Sequence, residues 1–341
     1  MNMVLDLQKK LLPDLIDILG RRYRILRYIR LMQPIGRRSL ASNIEMSERV
    51  LRSEVTFLKE QGLVDFQTMG MTLTEDGQDV LAQLEVVMKE VFDVRSMEEE
   101  LTTKLGVREV HIVPGDSDEY PWVLKEMGRS TVNVMKRYLL PEKNIVAVTG
   151  GRSIANVADM LIPDTDLKET LFVPARGGLG EQVENQANTI CATMARKAMG
   201  RYRLLHVPDQ LGRDAYESLI YDPVIKEILE LIRSSTMVVH GIGEAMAMAE
   251  RRNTSDEVLD KLKETEAVAE AFGYYFNADG EIVHKVLTIG LQLEDLKNIP
   301  TVISVAGGRT KANAIRAYLK RNPNQVLITD EGAAKEMLTK L

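Results

Sequence analysis

From residue 107 onwards the chain repeats one pattern, in which a short apolar run is followed by a turn and a helical stretch. Seven such runs occur, at residues 107–113, 144–150, 169–175, 202–208, 235–241, 301–307 and 324–330. Strands that are apolar on both faces belong in a parallel sheet covered by helices on each side. The pattern therefore predicts a Rossmann-like parallel α/β domain, whose ligands bind beyond the carboxyl ends of the strands.

Two of the turns that follow these runs resemble each other. Residues 147–160 read AVTGGRSIANVADM, and residues 304–318 read SVAGGRTKANAIRAY. Glycine lets the backbone approach a ligand closely, and the helix start that follows offers unpaired N–H groups and a partial positive charge. Ser153 and Lys311 add a hydroxyl and an ammonium group. Both turns are predicted to bind an anion.

Two further glycine turns extend this prediction. Residues 173–189 contain Arg176, and residues 238–254 contain Arg251. Arginine makes charge-assisted hydrogen bonds to phosphate. Several basic glycine turns at strand ends favour a small ligand with more than one phosphate. The chain lacks GxxxxGK[ST] and a clean GxGxxG with a distant acidic residue, which disfavours an ATP or dinucleotide site.

An enzyme acting on a sugar phosphate, such as an isomerase or a kinase, is the competing interpretation. An isomerase needs a general base near the sugar. Candidate carboxylates are Asp209, Glu244, Glu266, Glu270 and Asp279. No acid–base pair with supporting spacing is present, so no catalytic residue is predicted, and Glu270 is expected to contact sugar hydroxyls. The four histidines are scattered and Cys191 is the single cysteine, which predicts neither a metal site nor an internal disulfide.

The beginning of the chain differs in charge from the remainder. Residues 21–60 contain ten Lys or Arg and four Glu, whereas the whole chain of 341 residues has a net charge of −6. A basic segment on an acidic protein points to a local polyanion partner. No apolar run is long enough to span a membrane. The single cysteine favours a cytoplasmic location.

Residues 21–77 have the element order of a winged helix-turn-helix. A helix over residues 21–33 is followed by a short helix in residues 34–46, a helix over residues 47–62 and a hairpin around Gly70. In this motif the second helix of the pair enters the DNA major groove. Operator DNA is the predicted partner, and a protein-docking adaptor is the alternative. The predicted DNA contacts are Arg37, Arg38, Ser47, Arg49, Arg52, Ser53 and Lys59.

A continuous helical periodicity follows, over residues 74–106, with an apolar seam that can pair two chains. Its members are Leu81, Leu84, Val87, Val91 and Leu101. Paired proteins read paired half-sites on DNA. Residues 1–88 are therefore predicted to be the DNA-binding domain with the start of a linker helix. Residues 89–341 are predicted to bind the effector and to form a homodimer or homotetramer.

These features together resemble the SorC-type bacterial transcriptional regulators over essentially the whole chain. The motifs that carry the resemblance are VTGG, FVPARGG, NQANTI, VHGIGEA, AFGYYFNADG and VAGG. The resemblance implies a repressor of a glycolytic operon that is relieved by fructose-1,6-bisphosphate. It also implies an effector domain similar to glucosamine-6-phosphate deaminase and ribose-5-phosphate isomerase, without their activity.

The resemblance also implies an effector site. The matching positions are Gly150, Gly151, Arg152, Ser153, Arg176, Gln186, Arg251, Glu270 and Lys311, and Gly178 from the same turn as Arg176 is added to them. In the similar enzymes the two GG turns meet on one phosphate, which assigns Ser153 and Lys311 to one phosphate and Arg176 and Arg251 to the other. Family members commonly have Gly-Gly-Thr followed by Thr or Ser, whereas Arg152 replaces the first hydroxyl residue here.

Overall fold

The computed structural model describes residues 10–163, 166–178 and 182–340. They form two compact units that divide between Met97 and Glu98. The domain boundary predicted after residue 88 lies within a helix of the first unit.

The first unit consists of helices around a hairpin. Its elements are α1 (Pro13–Met32), α2 (Arg37–Asn43), α3 (Glu48–Glu60), β1 (Val64–Gln67), β2 (Gly70–Leu73) and α4 (Glu75–Val91). This order is the predicted winged helix-turn-helix, with a first helix that begins earlier than residue 21.

The N-cap residue explains where helix α3 begins, and the spacing of its apolar residues explains which face is buried. The Ser47 side chain accepts a hydrogen bond from the N–H of Val50, as an N-cap residue does. Leu51, Val55 and Leu58 on one face are buried, and Val50 is half-buried. The opposite face is left for solvent or a partner.

The hairpin of β1 and β2 is the wing of the motif, and backbone hydrogen bonds connect it to Ile35, which precedes α2. Met71 N donates to Ile35 O (2.8 Å) and Ile35 N donates to Met71 O (3.1 Å). Gly70 has φ +140°, and a Cβ atom there would lie 2.7 Å from Ile35 N. Glycine is therefore required for the close approach of these two chain segments.

Residues 74–106, whose apolar residues have a helical period, form two helices rather than one. Helix α4 ends at Val91 and α5 spans Val94–Leu105, with Asp93 at φ +55° between them. A left-handed residue ends a helix. Within the predicted seam Val87 is exposed and Leu84 half-buried, while Leu81, Val91 and Leu101 are already buried within this chain.

The second unit contains a seven-stranded parallel sheet. Its strands are β3 (Glu109–Val113), β4 (Ile145–Val148), β5 (Leu171–Pro174), β6 (Arg201–Tyr202), β7 (Met237–Gly241), β12 (Thr301–Val305) and β13 (Val326–Asp330), in the spatial order β3-β13-β12-β7-β4-β5-β6. The helices between the strands are α6 (Val123–Arg137), α7 (Arg152–Met160), α8 (Ala187–Ala198), α9 (Arg213–Ile220), α10 (Pro223–Arg233) and α13 (Ala312–Arg321), and α14 (Glu331–Thr339) follows β13. The predicted α/β architecture is confirmed.

The run at residues 202–208 was wrongly predicted to be a full strand. Leu205 N donates to the Asn188 side chain (3.1 Å), and the same side chain donates to Leu205 O (2.9 Å). Farther along, Gly178 N donates to Val207 O (3.0 Å). These bonds take the backbone away from the sheet after Tyr202.

A second sheet and two helices lie between β7 and β12 in the sequence. It is antiparallel, with strands β8 (Gly243–Glu244), β9 (Ala267–Ala271), β10 (Tyr274–Asn277) and β11 (Ile282–Lys285), and with helices α11 (Ala245–Arg251) and α12 (Asp256–Glu264). Strands β10 and β11 form a hairpin whose turn contains Asp279 and Gly280, with Gly280 at φ +79°.

The strand order of the parallel sheet reverses between β4 and β7. From β4 the chain proceeds outwards to β5 and β6, and β7 then returns to the other side of β4. In doubly wound sheets a ligand binds in the crevice at such a switch point. None of the described helices is both long and apolar enough to cross a membrane.

Candidate effector site and nucleic-acid interface

A cavity of about 560 Å³ lies at the switch point. The turns after β4, β5, β7 and β12 contribute to its lining. It includes the predicted residues Gly150, Gly151, Arg152, Ser153, Arg176, Gln186, Arg251, Glu270 and Lys311. Gly178 is not among the lining residues, since its N–H and C=O bond to the backbone of Val207 and Asp209. Four turns that are distant in sequence thus meet around one space.

One end of the cavity presents unpaired donors at the start of α7. Gly151 has φ +115°, and its N–H donates to Asn185 O (2.8 Å). The N–H groups of Gly150, Arg152 and Ser153, and the Ser153 hydroxyl, have no hydrogen-bond partner among the described residues. Unpaired N–H groups at a helix start form an anion site.

Three cations surround the same end. The ammonium of Lys311 makes no hydrogen bond or ion pair with the residues that the structure describes, and the same holds for the exposed side chains of Arg152 and Arg251. Burial lowers the pKa of Lys311, the guanidiniums of Arg152 and Arg251 lower it further, and Asp118 partly opposes them. Like charges this close favour the arrival of an anion.

The second GGR turn does not offer its amides to a ligand, contrary to the prediction that both turns do. Its N–H groups donate to carboxylates of the protein: Gly308 to Asp330 (2.7 Å), Arg309 to Asp116 (3.4 Å) and Thr310 to Asp118 (2.9 Å). This turn lines the cavity with Thr310 and Lys311, and its charged contribution is the Lys311 ammonium.

The other end of the cavity holds a closed ring of four buried charged side chains. Arg176 Nη2 lies 2.6 Å from Asp209 Oδ1, and Arg176 Nη1 lies 3.4 Å from Glu270 Oε1. Arg252 closes the ring through Asp209 Oδ2 (3.3 Å) and Glu270 Oε1 (2.9 Å). Burial raises the pKa of Glu270, but Arg252 and Arg176 outweigh it, so the net pKa is lowered and the carboxylate is charged.

Glu270 retains one oxygen for a ligand. Its Oε1 accepts from Arg176, from Arg252 and from Gly273 N (2.6 Å). Its Oε2 has no bond to a described residue. A carboxylate oxygen of this kind accepts hydrogen bonds from sugar hydroxyls.

Two residues of this ring were not predicted to bind the effector. Arg252 adjoins Arg251, and the sequence does not reveal which of the two arginines points inwards. In the structure Arg252 is 8% exposed, whereas Arg251 is exposed and its charge lowers the pKa of Lys311. Asp209 was considered only as a possible base. The proximity of Asp209 to Arg176 depends on the bend after β6.

The predicted DNA contacts lie on the outer surface of the first unit. Arg37, Arg38, Ser47, Arg49, Arg52, Ser53 and Lys59 are all exposed. Arg49, Arg52 and Ser53 share one face of α3, opposite the buried stripe. Arg37, Arg49 and Arg52 have no ion pair with the described part of the chain. Lys59 lies 4.8 Å from the ring centre of Phe66 on the wing.

Comparison with known proteins gives one family for the whole chain. Residues 18–88 match the "CggR N-terminal DNA binding domain" and residues 89–339 match the "Putative sugar-binding domain". The chain is 58% identical over 338 residues to proteins named "Central glycolytic genes regulator" in Priestia megaterium and Bacillus subtilis, covering 99% of each chain. The chain belongs to the SorC family of transcriptional regulators.

A solved SorC-family structure supports the fold of the second unit. The crystal structure of a SorC family regulator from Enterococcus faecalis is 47% identical, with a TM-score of 0.68, and covers 71% of this chain and 99% of its own. This SorC-family chain is thus a transcription regulator with a DNA-binding and a sugar-binding domain. The relatives are named as regulators and not as enzymes, which agrees with the prediction of a non-enzyme.

Proposed function

We propose that this SorC-family regulator represses a glycolytic operon and that fructose-1,6-bisphosphate relieves the repression. The observation that carries the proposal is one end of the cavity, where amides, a hydroxyl and three cations have no partner among the described residues, in a chain with a winged helix. The gene target is supported by the names of the relatives. The protein acts in the cytoplasm, where operator DNA and glycolytic sugars are both present.

The bisphosphate lies across the cavity in this proposal. One phosphate binds Ser153, the free amides at the start of α7 and Lys311. Arg251 binds the same phosphate, because its charge lowers the pKa of Lys311 and the two side chains therefore lie near each other. The other phosphate binds Arg176 and Arg252. Glu270 Oε2 accepts hydrogen bonds from the sugar hydroxyls.

The effector acts on DNA binding through linkage. A ligand shifts an equilibrium only when it prefers one of two arrangements. We infer that the arrangements are two ways of pairing copies of this chain, as homodimers or homotetramers, and that the bisphosphate favours the one in which the winged helices do not match the operator half-sites.

Calorimetric titration of the full chain tests ligand identity. The ligands are fructose-1,6-bisphosphate, fructose 6-phosphate and fructose, and the recovered ligand is analysed by phosphorus NMR. The proposal expects the tightest binding for the bisphosphate, no binding for fructose and unaltered ligand afterwards. Turnover of the ligand, or equal binding of fructose, contradicts the proposal.

A further inference from the structure

We propose that the Asp209 carboxylate competes with the second phosphate of a bisphosphate, because it occupies the place between Arg176 and Arg252 that this phosphate takes. The inference rests on the proposed function. It identifies a residue that weakens bisphosphate binding and leaves monophosphate binding unchanged.

The geometry of the ring supports this role. The two oxygens of Asp209 bridge the two arginines, at 2.6 Å from Arg176 Nη2 and 3.3 Å from Arg252 Nε. The four ring members are between 3% and 8% exposed. A phosphate also bridges two guanidiniums through two oxygens, so a carboxylate in this position is a substitute for it.

Asp209 is easier to displace than Glu270. Glu270 lies on β9, and its Oε1 is held by a backbone N–H at 2.6 Å in addition to both arginines. Asp209 lies in the irregular segment between β6 and α9, and the described partners of its carboxylate are the two guanidiniums alone.

The ring also has unused binding capacity. Arg176 Nε and Nη2 are buried and have no hydrogen-bond partner among the described residues, since the 2.6 Å contact of Nη2 with Asp209 Oδ1 is an ion pair without hydrogen-bond geometry. A buried unpaired N–H of a charged group is costly. An incoming phosphate can accept from both atoms, which gives the phosphate an advantage over Asp209.

Discrimination between ligands follows from this competition. A monophosphate bound at Ser153 and Lys311 leaves the ring intact. A bisphosphate must release Asp209 from two buried guanidiniums, and the dianionic phosphate replaces a single carboxylate charge. Asp209 therefore opposes only the second phosphate, and it lowers the affinity for a bisphosphate without lowering the affinity for a monophosphate.

The test is calorimetric titration of the full-length Asp209→Asn variant with fructose-1,6-bisphosphate and fructose 6-phosphate. Removing the competing charge should tighten bisphosphate binding by about tenfold or more and change monophosphate binding by less than about threefold. The exposed Asp214→Asn variant is the matched control and Asp209→Glu, which keeps the charge, should not gain affinity. Unchanged or weaker bisphosphate binding by a folded Asp209→Asn variant overturns the proposal.

If the Asp209→Asn variant does not fold, a crystal structure of the unaltered chain with fructose-1,6-bisphosphate tests the proposal. The expected result is a phosphate between Arg176 and Arg252 and an Arg176–Asp209 distance that no longer permits an ion pair. A bound bisphosphate with the 2.6 Å pair intact refutes the role of Asp209 but leaves the proposed function standing. Failure of every sugar phosphate to bind in calorimetry refutes the proposed function, and this inference with it.

Discussion

Lys311 shows how the charges that line the cavity favour an anion. Its ammonium is largely removed from water and lies near two guanidiniums, and both effects lower its pKa. A phosphate brings negative charge to all three cations and supplies hydrogen-bond acceptors. The mutual repulsion of the three cations is therefore relieved when the anion binds.

Lys311→Ala should weaken sugar-phosphate binding without altering operator binding in the absence of ligand. A hydrogen bond to a charged group contributes about 1.5–3 kcal/mol, so the affinity should fall by roughly tenfold to one hundredfold. Calorimetry measures the loss, and the exposed Lys297→Ala variant is the control. Normal affinity in Lys311→Ala would remove this side chain from the site.

The pH dependence of binding should report the lowered pKa of Lys311. Phosphate binding favours the ammonium form, so affinity should fall as pH rises through the lowered pKa, below the range of an ordinary lysine. Arg152→Ser removes one of the nearby charges and should move this fall to higher pH. Calorimetry across pH measures both profiles. If the affinity falls over the same pH range in both proteins, the fall does not report the pKa of Lys311.

Arg52 is the residue on α3 whose substitution should affect DNA recognition. It is exposed and has no described ion pair. If it contacts a base, Arg52→Ala should weaken operator binding by about 1–3 kcal/mol and random-sequence DNA binding much less. Fluorescence anisotropy with both DNAs measures this, with Arg321→Ala as the control. Equal losses on both DNAs identify Arg52 as a phosphate contact.

At the scale of elements, the start of α7 forms the phosphate-binding end of the cavity. Gly151 has φ +115° and ψ +157°, a conformation that only glycine adopts readily. A Cβ atom there would meet no atom within 4 Å, so the strain comes from the backbone alone. The free amides depend on this conformation.

Gly151→Ala should therefore lower stability by about 1–3 kcal/mol and weaken sugar-phosphate binding. Denaturant unfolding and calorimetry measure the two effects. Gly212→Ala is the matched control, since Gly212 has φ −68° and open space around it. Full affinity with unchanged stability would show that the turn does not need glycine.

The sequence predicts elements whose structure is determined locally. Ser47 and the apolar stripe of α3 define that helix, and the apolar runs define six of the sheet strands. The ends of the run at 202–208 could not be predicted, because Asn188 binds its backbone from another helix. The helix break at Asp93 also lacks a glycine or proline to mark it.

The site could be predicted from its glycine turns only in part. GGRS and GGRT look alike, yet among the described residues the first leaves the amides of Gly150, Arg152 and Ser153 without a partner, whereas the second donates those of Gly308, Arg309 and Thr310 to carboxylates. The difference lies in Asp116 and Asp118, which are about two hundred positions from the second turn in sequence and bind its N–H groups. A local motif does not reveal such long-range hydrogen bonds. Nor does it reveal that Arg252, rather than Arg251, belongs to the ring of buried charges.

At the scale of the whole molecule, the chain combines a DNA-binding unit with a sugar-binding unit. Neither unit alone makes a regulator, because regulation requires that ligand binding changes DNA affinity by a coupling free energy. This coupling is the central claim of the account.

The most direct test is an operator mobility shift with the full chain, with and without fructose-1,6-bisphosphate, alongside the Lys311→Ala variant. The account predicts that the bisphosphate weakens retardation or reduces the size of the retarded complex of the unaltered chain, and that Lys311→Ala needs more bisphosphate for the same effect. Retardation and complex size that do not respond to the bisphosphate in the unaltered chain would contradict it.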